Sequence, residues 1–485
     1  MRLEEFLKEQ ILSRLKYDNP WWISGRIPTD YEQMTRRPYI NLFYPLITEK
    51  SIRRTVVLMG PRRVGKTVMI FHSISKLLED GVNPQKIIYL SIDTPIYNNL
   101  SLEQIFQFAR EALLQNDSTD DFFVFYDEIQ YLDNWEVHLK SMSDSYRNVK
   151  FIASGSAAAA LKKKSSESGA GRFTDFMLPP LTFSEYLLLK NLDRLIVKRN
   201  ISWKGQEISA YDTVNIEELN TNFLDYINFG GYPEVVFSDK IKSDPGQYLR
   251  HDIVDKVLLR DLPSLYGISD TQELNRLFNY IAYRSGSEFS YDRLSQDSDI
   301  RIDVLKKYIQ YLEAAFLIKV VYKTDINAKR MQRVTSFKVY LTNPSLRCAL
   351  FSPLGFLDEN IGNMVETAIF AQWIQRDKTD VYYANWSKGR EKGEVDLIGL
   401  DIIKQKPNWA VEIKWSDRYY EHIGELKSLL QFMEINKVDE AIVTSISKFG
   451  EKQLQKIRLQ FIPAAIYAYI VGHNTFEQKQ QTIGL

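Results

Sequence analysis

The chain has 485 residues, 44% of them hydrophobic and 26% charged, the balance of a globular protein too long to form a single core. Its 62 Lys and Arg equal its 62 Asp and Glu, so no global field draws it to nucleic acid or membrane, and any nucleic-acid site must be a local patch. The single cysteine, Cys348, excludes an internal disulfide framework, no apolar run is long enough to span a membrane, and Met1 to Glu5 lack the apolar core of a signal peptide; the cytoplasm is the expected location.

The first fifty residues open with an amphipathic helix carrying Leu3, Phe6, Leu7, Ile11, Leu12 and Leu15, followed by Asn19-Pro20-Trp21-Trp22. Adjacent tryptophans after a proline suit a docking corner, with base stacking as the other use. Thr55 to Met59 then reads as a buried strand, and Val68 to Ile74 as a helix. Between them runs Gly60-Pro61-Arg62-Arg63-Val64-Gly65-Lys66-Thr67, a complete G-x-x-x-x-G-K-[ST] motif that continues into Val68. Gly60 and Gly65 let the backbone curl so that its N–H groups face phosphate oxygens at a helix N-terminus; Lys66 is expected at the β/γ-phosphates of ATP and Thr67 at Mg²⁺.

Lys86 to Asp93 reads as the next strand, Leu102 to Leu114 as a helix, and Phe122 to Tyr126 as a strand that delivers Asp127 and Glu128 at its carboxyl end. In that position Asp127 is expected to bind Mg²⁺ through water, and Glu128 to orient and deprotonate the attacking water. Val149 to Ser156 follows, with Ser154 or Ser156 as a hydroxyl sensor of the γ-phosphate or, alternatively, only a turn. Alternating βα units whose tips converge on one edge predict a parallel sheet with the ligand at its carboxyl ends. Ala157 to Ala160 and Lys162-Lys163-Lys164 make a small basic loop, a solvated surface turn or a contact to a nucleic-acid backbone.

The set GPRRVGKT, DEIQYLDNWEVHLKS, IASGSAAA and GRFTDFMLPPLTFSEYL, together with Asn19 to Trp22 and Gly230 to Glu234, resembles the bacterial and archaeal AAA-type ATPases that carry a C-terminal domain of unknown function. The resemblance implies an α/β fold with a P-loop domain over residues 1–190 and an insertion and helical lid over 191–270. It also implies a homo-oligomer, a ring or partial ring, in which Arg172 is the trans-acting arginine finger; the other reading of Arg172 is a structural pair to a carboxylate. Residues 191–222 read as a polar, irregular insertion. Gly230-Gly231 is expected to end one lid helix and Pro233 to start the next.

Residues 271–350 change rhythm. Three helical stripes, ending with Ile302 to Phe316, precede two alternating runs, Leu317 to Tyr322 and Phe337 to Leu341, the order of a winged helix. Its third helix carries Arg301, Lys306 and Lys307, and its wing Lys323, Lys329, Arg330, Arg333 and Lys338, all candidates for DNA phosphates. A protein-interaction role is the alternative.

Residues 351–485 return to α/β. Glu366 lies on a helix, Asp396 inside the apolar run Val395 to Ile398, and Glu412 and Lys414 two residues apart on the strand Trp409 to Trp415. This constellation resembles the PD-(D/E)xK restriction-endonuclease-like fold, in which Glu366, Asp396 and Glu412 would hold Mg²⁺ and Lys414 would assist the water or the phosphate. Val395 stands where that motif has its proline. Three functions follow from the whole: an ATP-hydrolysing DNA motor or remodeller, acting on branched DNA or in repair, recombination or defence; an ATP-dependent oligomerisation switch that binds a protein; and an ATP-gated nuclease. The nuclease activity itself stays open.

Overall fold

The computed structural model describes residues 2–113, 121–156, 171–203, 206–329, 336–376, 381–388, 391–401 and 406–483. Its chain divides into two compact units, Met1–Pro179 and Pro180–Leu485.

In the first unit α1 (Arg2–Asp18) and α2 (Ile40–Thr48) lead into β1 (Thr55–Gly60), and α3 (Lys66–Glu79) follows the phosphate loop. Then come β2 (Ile87–Ser91), α4 (Leu102–Ala112), β3 (Phe123–Asp127), α5 (Trp135–Ser145), β4 (Lys150–Ser156) and β5 (Phe173–Met177). The strands form a parallel sheet in the order β2-β3-β4-β1-β5. β1, β3 and β4 are buried along their whole length, which is why Val56 to Met59 and Phe123 to Tyr126 read as unbroken apolar runs, while β4 ends in the buried polar residues Ser154 and Ser156. β5 sets Thr174 and Asp175 between Phe173 and Phe176 and is only partly buried, so its apolar run is broken.

Asn19 fastens the edge strand β2. Its amide accepts from Tyr89 N at 2.6 Å and donates to Tyr89 O at 2.9 Å, completing one step of a ladder that has no neighbouring strand. The Trp21 and Trp22 indoles both donate to Ile87 O, at 3.0 and 2.7 Å. The tryptophan pair therefore packs, and Trp21 is fully buried.

The second unit begins with α6 (Phe183–Leu189), β6 (Ile196–Trp203), β7 (Gln206–Thr213) and α7 (Ile216–Phe229). The expected irregular insertion is thus a two-stranded antiparallel ribbon, whose strands pair only with each other among the described residues. Helix α7 ends at Gly230 and Pro233 opens the next short helix. A side chain at Gly231 would meet Asn343 Oδ1 at 2.3 Å, so only glycine fits there.

Next come α8 (Thr271–Tyr283), β8 (Glu288–Phe289), α9 (Tyr291–Ser298), α10 (Ile302–Ala314), β9 (Ile318–Thr324) and β10 (Phe337–Leu341), with β10 antiparallel to both β8 and β9. The remainder is α11 (Ile361–Ile374), the meander β11 (Val381–Lys388), β12 (Glu391–Leu400) and β13 (Pro407–Glu412), then α12 (Lys427–Asn436), β14 (Glu440–Ser445), β15 (Gly450–Leu454), β16 (Ile457–Pro463) and α13 (Ala464–Ile483). Parallel pairing of β11 with β9 at Tyr383 and Ala384 joins both parts into one sheet, ordered β15-β16-β14-β13-β12-β11-β9-β10-β8 among the described residues. That ladder crosses the division expected near residue 350. Apolar residues of α6, α7, α11 and α13 share one core with Leu397 and Val411, and α12 packs with Ile398 and Ala410 in another.

Candidate functional site

The phosphate loop leaves β1 at Gly60, where a Cβ would come within 2.4 Å of Leu178 O, and enters α3 through Gly65 at φ 91°, a conformation that disfavours any side chain. Pro61 and Val64 are buried, Arg62 donates to Tyr131 Oη at 3.4 Å, and Arg63 takes φ 65°. Val68 lies in the first turn of α3. Buried Arg37 braces the loop from outside the motif, donating to Val64 O at 2.9 Å and Pro179 O at 3.0 Å. Lys66 is buried, with its Nζ 3.2 Å from Gly60 O and 3.0 Å from Pro61 O, so the amine lies across the loop.

Asp127 receives three hydroxyls: Thr67 Oγ1 at 2.8 Å, Tyr89 Oη at 2.9 Å and Ser154 Oγ. Burial and the neighbouring Glu128 carboxylate raise its pKa against those hydrogen bonds. Glu128 follows in the left-handed region at φ 56°, unusual for a long side chain. Its N–H donates to Ser154 Oγ at 3.2 Å, and its carboxylate accepts from Gln130 Nε2. Gln130 Oε1 in turn accepts from Ser156 N at 3.2 Å. Ser154 therefore braces the carboxylate pair, whereas the Ser156 hydroxyl is buried with no hydrogen-bond partner among the described residues. Arg172 pairs with Asp144 at 2.9 Å on a half-exposed surface, which matches the structural alternative within one chain. Lys162 to Lys164 and Ala157 to Ala160 lie outside the described residues.

In the second unit Glu366, Asp396, Glu412 and Lys414 meet, although they come from α11, β12, β13 and the residues just after it. The register of β12 against β11 shifts between Tyr382/Ile398 and Ala384/Val395, which inserts one extra residue in β12 beside Asp396. Such a bulge re-aims a side chain. Asp396 Oδ2 accepts from Ile413 N at 2.8 Å and lies 3.6 Å from Lys414 Nζ, which is 2.7 Å from Glu412 Oε1. Glu412 Oε2 is buried and has no hydrogen-bond partner among the described residues.

Three further residues enter this centre. Lys338 Nζ lies 2.9 Å from Glu366 Oε1, 2.7 Å from Glu394 Oε1 and 3.9 Å from Asp396 Oδ1, and Tyr340 Oη donates to Glu366 Oε1 at 2.6 Å. This corrects the assignment of Lys338 to a DNA-facing wing: it is buried because β10 lies inside the joined sheet. Burial and Asp396 push Glu412 up to about 8 and raise Glu366, outweighing the lysines. Burial alone would lower Lys338, but Glu366, Tyr340, Asp396 and Glu394 raise it well above its ordinary value. Among the described residues, no three His, Cys, Asp or Glu side chains are gathered to hold a metal ion as they stand.

Lys306, Lys307 and Lys329 are exposed, with Lys306 Nζ 5.3 Å from the centre of the Tyr291 ring, while Lys323 pairs with Glu288 at 3.5 Å. Arg330 and Arg333 lie outside the described residues. Among the described residues no helix is long and apolar enough to cross a membrane, and Cys348 is buried as a free thiol.

A family model described as an AAA domain matches residues 52–187. It covers the loop, the β3 carboxylates and all five strands of the parallel sheet. A second, described as a domain of unknown function, matches residues 220–359, from α7 through β10, and stops before α11. An uncharacterized protein of Methanocaldococcus jannaschii is 24% identical over 406 residues, 82% of this chain and 83% of its own. One of Haemophilus influenzae is 24% identical over 403 residues, 81% and 90% of the two chains. A solved structure of the replication initiator DnaA bound to AMPPCP and single-stranded DNA is 14% identical, with a TM-score of 0.27 over 57% of this chain and 86% of that one.

Proposed function

We propose that this protein hydrolyses ATP in its AAA domain and uses the cycle to remodel DNA held by its second unit. The observation that carries the reading is the hydrogen-bonded run Thr67, Asp127, Ser154, Glu128 beside the phosphate loop. In this reading the loop amides and Lys66 hold the triphosphate, Glu128 orients the attacking water and takes its proton, and the unpartnered Ser156 hydroxyl reports the γ-phosphate. Thr67 and Asp127 would hold Mg²⁺: they are hard oxygen donors 2.8 Å apart, and burial raises the Asp127 carboxylate, so a cation there is favoured. When bound, the ion neutralises phosphate charge. Arg172 would exchange Asp144 for a neighbouring subunit's nucleotide in a homo-oligomer.

The DNA role rests on the second unit. Helix, strand, two helices and two strands over 271–341 follow the order of a winged helix, and Lys306 and Lys307 stand exposed on its third helix. The helix, three-stranded meander, helix and parallel strand from α11 to β14 support a PD-(D/E)xK-like fold. There Asp396 and Glu412 are the residues that would hold a divalent cation, and the orphaned Glu412 Oε2 is the observation that fits one. This centre favours a second reading, a nuclease under ATP control.

ATPase rates without DNA and with duplex, single-stranded and four-way-junction DNA test the proposal. At least one DNA should stimulate turnover; equal rates in all four would point instead to a nucleotide switch. Strand cleavage lost in Asp396→Ala, with ATPase retained, would select the second reading.

A further inference from the structure

The acidic centre is asymmetric in its two lysines. Lys338 arrives on β10, its side chain 3% exposed, with Glu366, Glu394 and Asp396 around its ammonium group. Lys414 reaches Glu412 and Asp396 from the other side and is 26% exposed. Lys414 therefore has a route to solvent, whereas Lys338 could leave only by stranding a charge in the core, which is costly. Ionised, as a bound cation would hold them, the four carboxylates Glu366, Glu394, Asp396 and Glu412 face two ammonium groups, a shortfall of two positive charges. One divalent ion makes up that shortfall; two would leave an excess of two positive charges, which removing Lys338 would halve. Among the described residues, the one buried carboxylate oxygen of the centre without a hydrogen-bond partner, Glu412 Oε2, is on the Lys414 side.

We propose that Lys338 is a built-in substitute for a second metal ion, so that the centre takes a single divalent cation through Asp396 and Glu412. The inference rests on the metal-binding reading of this centre. It makes Lys338 a positioning residue that holds Glu366 and Asp396 apart from any second ion, and it ties occupancy of the centre to β10 of the helix-and-hairpin module.

The test is Mn²⁺ titration of the nucleotide-free full chain, with free ion read by electron paramagnetic resonance. Subtracting Asp396→Ala removes any contribution of the phosphate loop. Wild type and Lys338→Arg should each bind one Asp396-dependent ion, and Lys338→Gln should bind two. Two such ions in the wild type would overturn the proposal while keeping the metal-binding reading, and this outcome does not depend on any lysine variant folding. A folded Lys338→Gln that still binds one would also overturn it. No Asp396-dependent ion in the wild type would overturn the metal-binding reading and the inference together.

Discussion

Thr67 Oγ1 donates to Asp127 Oδ2 at 2.8 Å, joining the end of the phosphate loop to the carboxylate that closes β3, 60 residues later. Two motifs separate in the chain share one hydrogen bond because β1 and β3, with β4 between them, end at the same edge of the sheet. Tyr89 adds a second hydroxyl from β2 and Ser154 a third from β4. A parallel sheet brings the polar tips of non-adjacent segments together in this way.

Asn19 is expected to matter for stability more than its place in an N-terminal arm suggests. Asn19→Ala leaves both the N–H and the carbonyl of Tyr89 without their partner inside the protein. Each such group costs about 1–3 kcal/mol. Thermal unfolding of the variant should show a clear loss of stability; an unchanged midpoint would mean that the edge of β2 is held by other interactions.

The second unit should lose stability as the solution becomes more alkaline. Glu412 titrates at about 8 in the folded chain, against an ordinary 4.5. Between those values the folded protein holds a proton that the unfolded chain has released, so stability falls with rising pH across that window and is flat above it. Glu412→Gln should flatten the profile, as read from denaturant midpoints in metal-free buffer. The same slope in the variant would assign it to another group.

Lys306 and Lys307 are predicted to touch DNA phosphates. Replacing both with Ala should weaken binding similarly across sequences and make the salt dependence shallower, by about 0.9 in slope for each phosphate no longer neutralised. Unchanged affinity and slope would return this module to protein interaction.

Arg172 tests assembly. Arg172→Ala should lower turnover by about 10³-fold, and mixing it with Lys66→Ala should restore part of the activity, because one variant keeps the loop and the other the finger. Full activity in Arg172→Ala would leave the Asp144 pair as its only role.

Much of this was legible in the sequence where one residue type has one use. The loop, the β3 carboxylates and the three helices before the hairpin follow from spacing and pattern, whereas the quartet Glu366, Asp396, Glu412 and Lys414 is singled out through a resemblance to a nuclease-like fold. What escaped depends on packing between segments distant in sequence. Tyr89 and Gln130 look like ordinary strand and turn residues until the sheet brings them beside Asp127 and Glu128. Lys338 reads as one more basic residue near a wing, and only the pairing of β11 with β9 buries it beside Glu366. The β6–β7 ribbon is mostly polar, and polar sequence carries no strand signal unless one face is buried.

The central claim is that the chain binds and hydrolyses ATP at the tip of this sheet, and the most direct test is MgATP binding and turnover by Glu128→Gln beside the wild type. The wild type should bind and hydrolyse, and the variant should bind with similar affinity and stop there. Hydrolysis at the wild-type rate in Glu128→Gln, or a wild-type chain with no affinity for MgATP, would contradict the account.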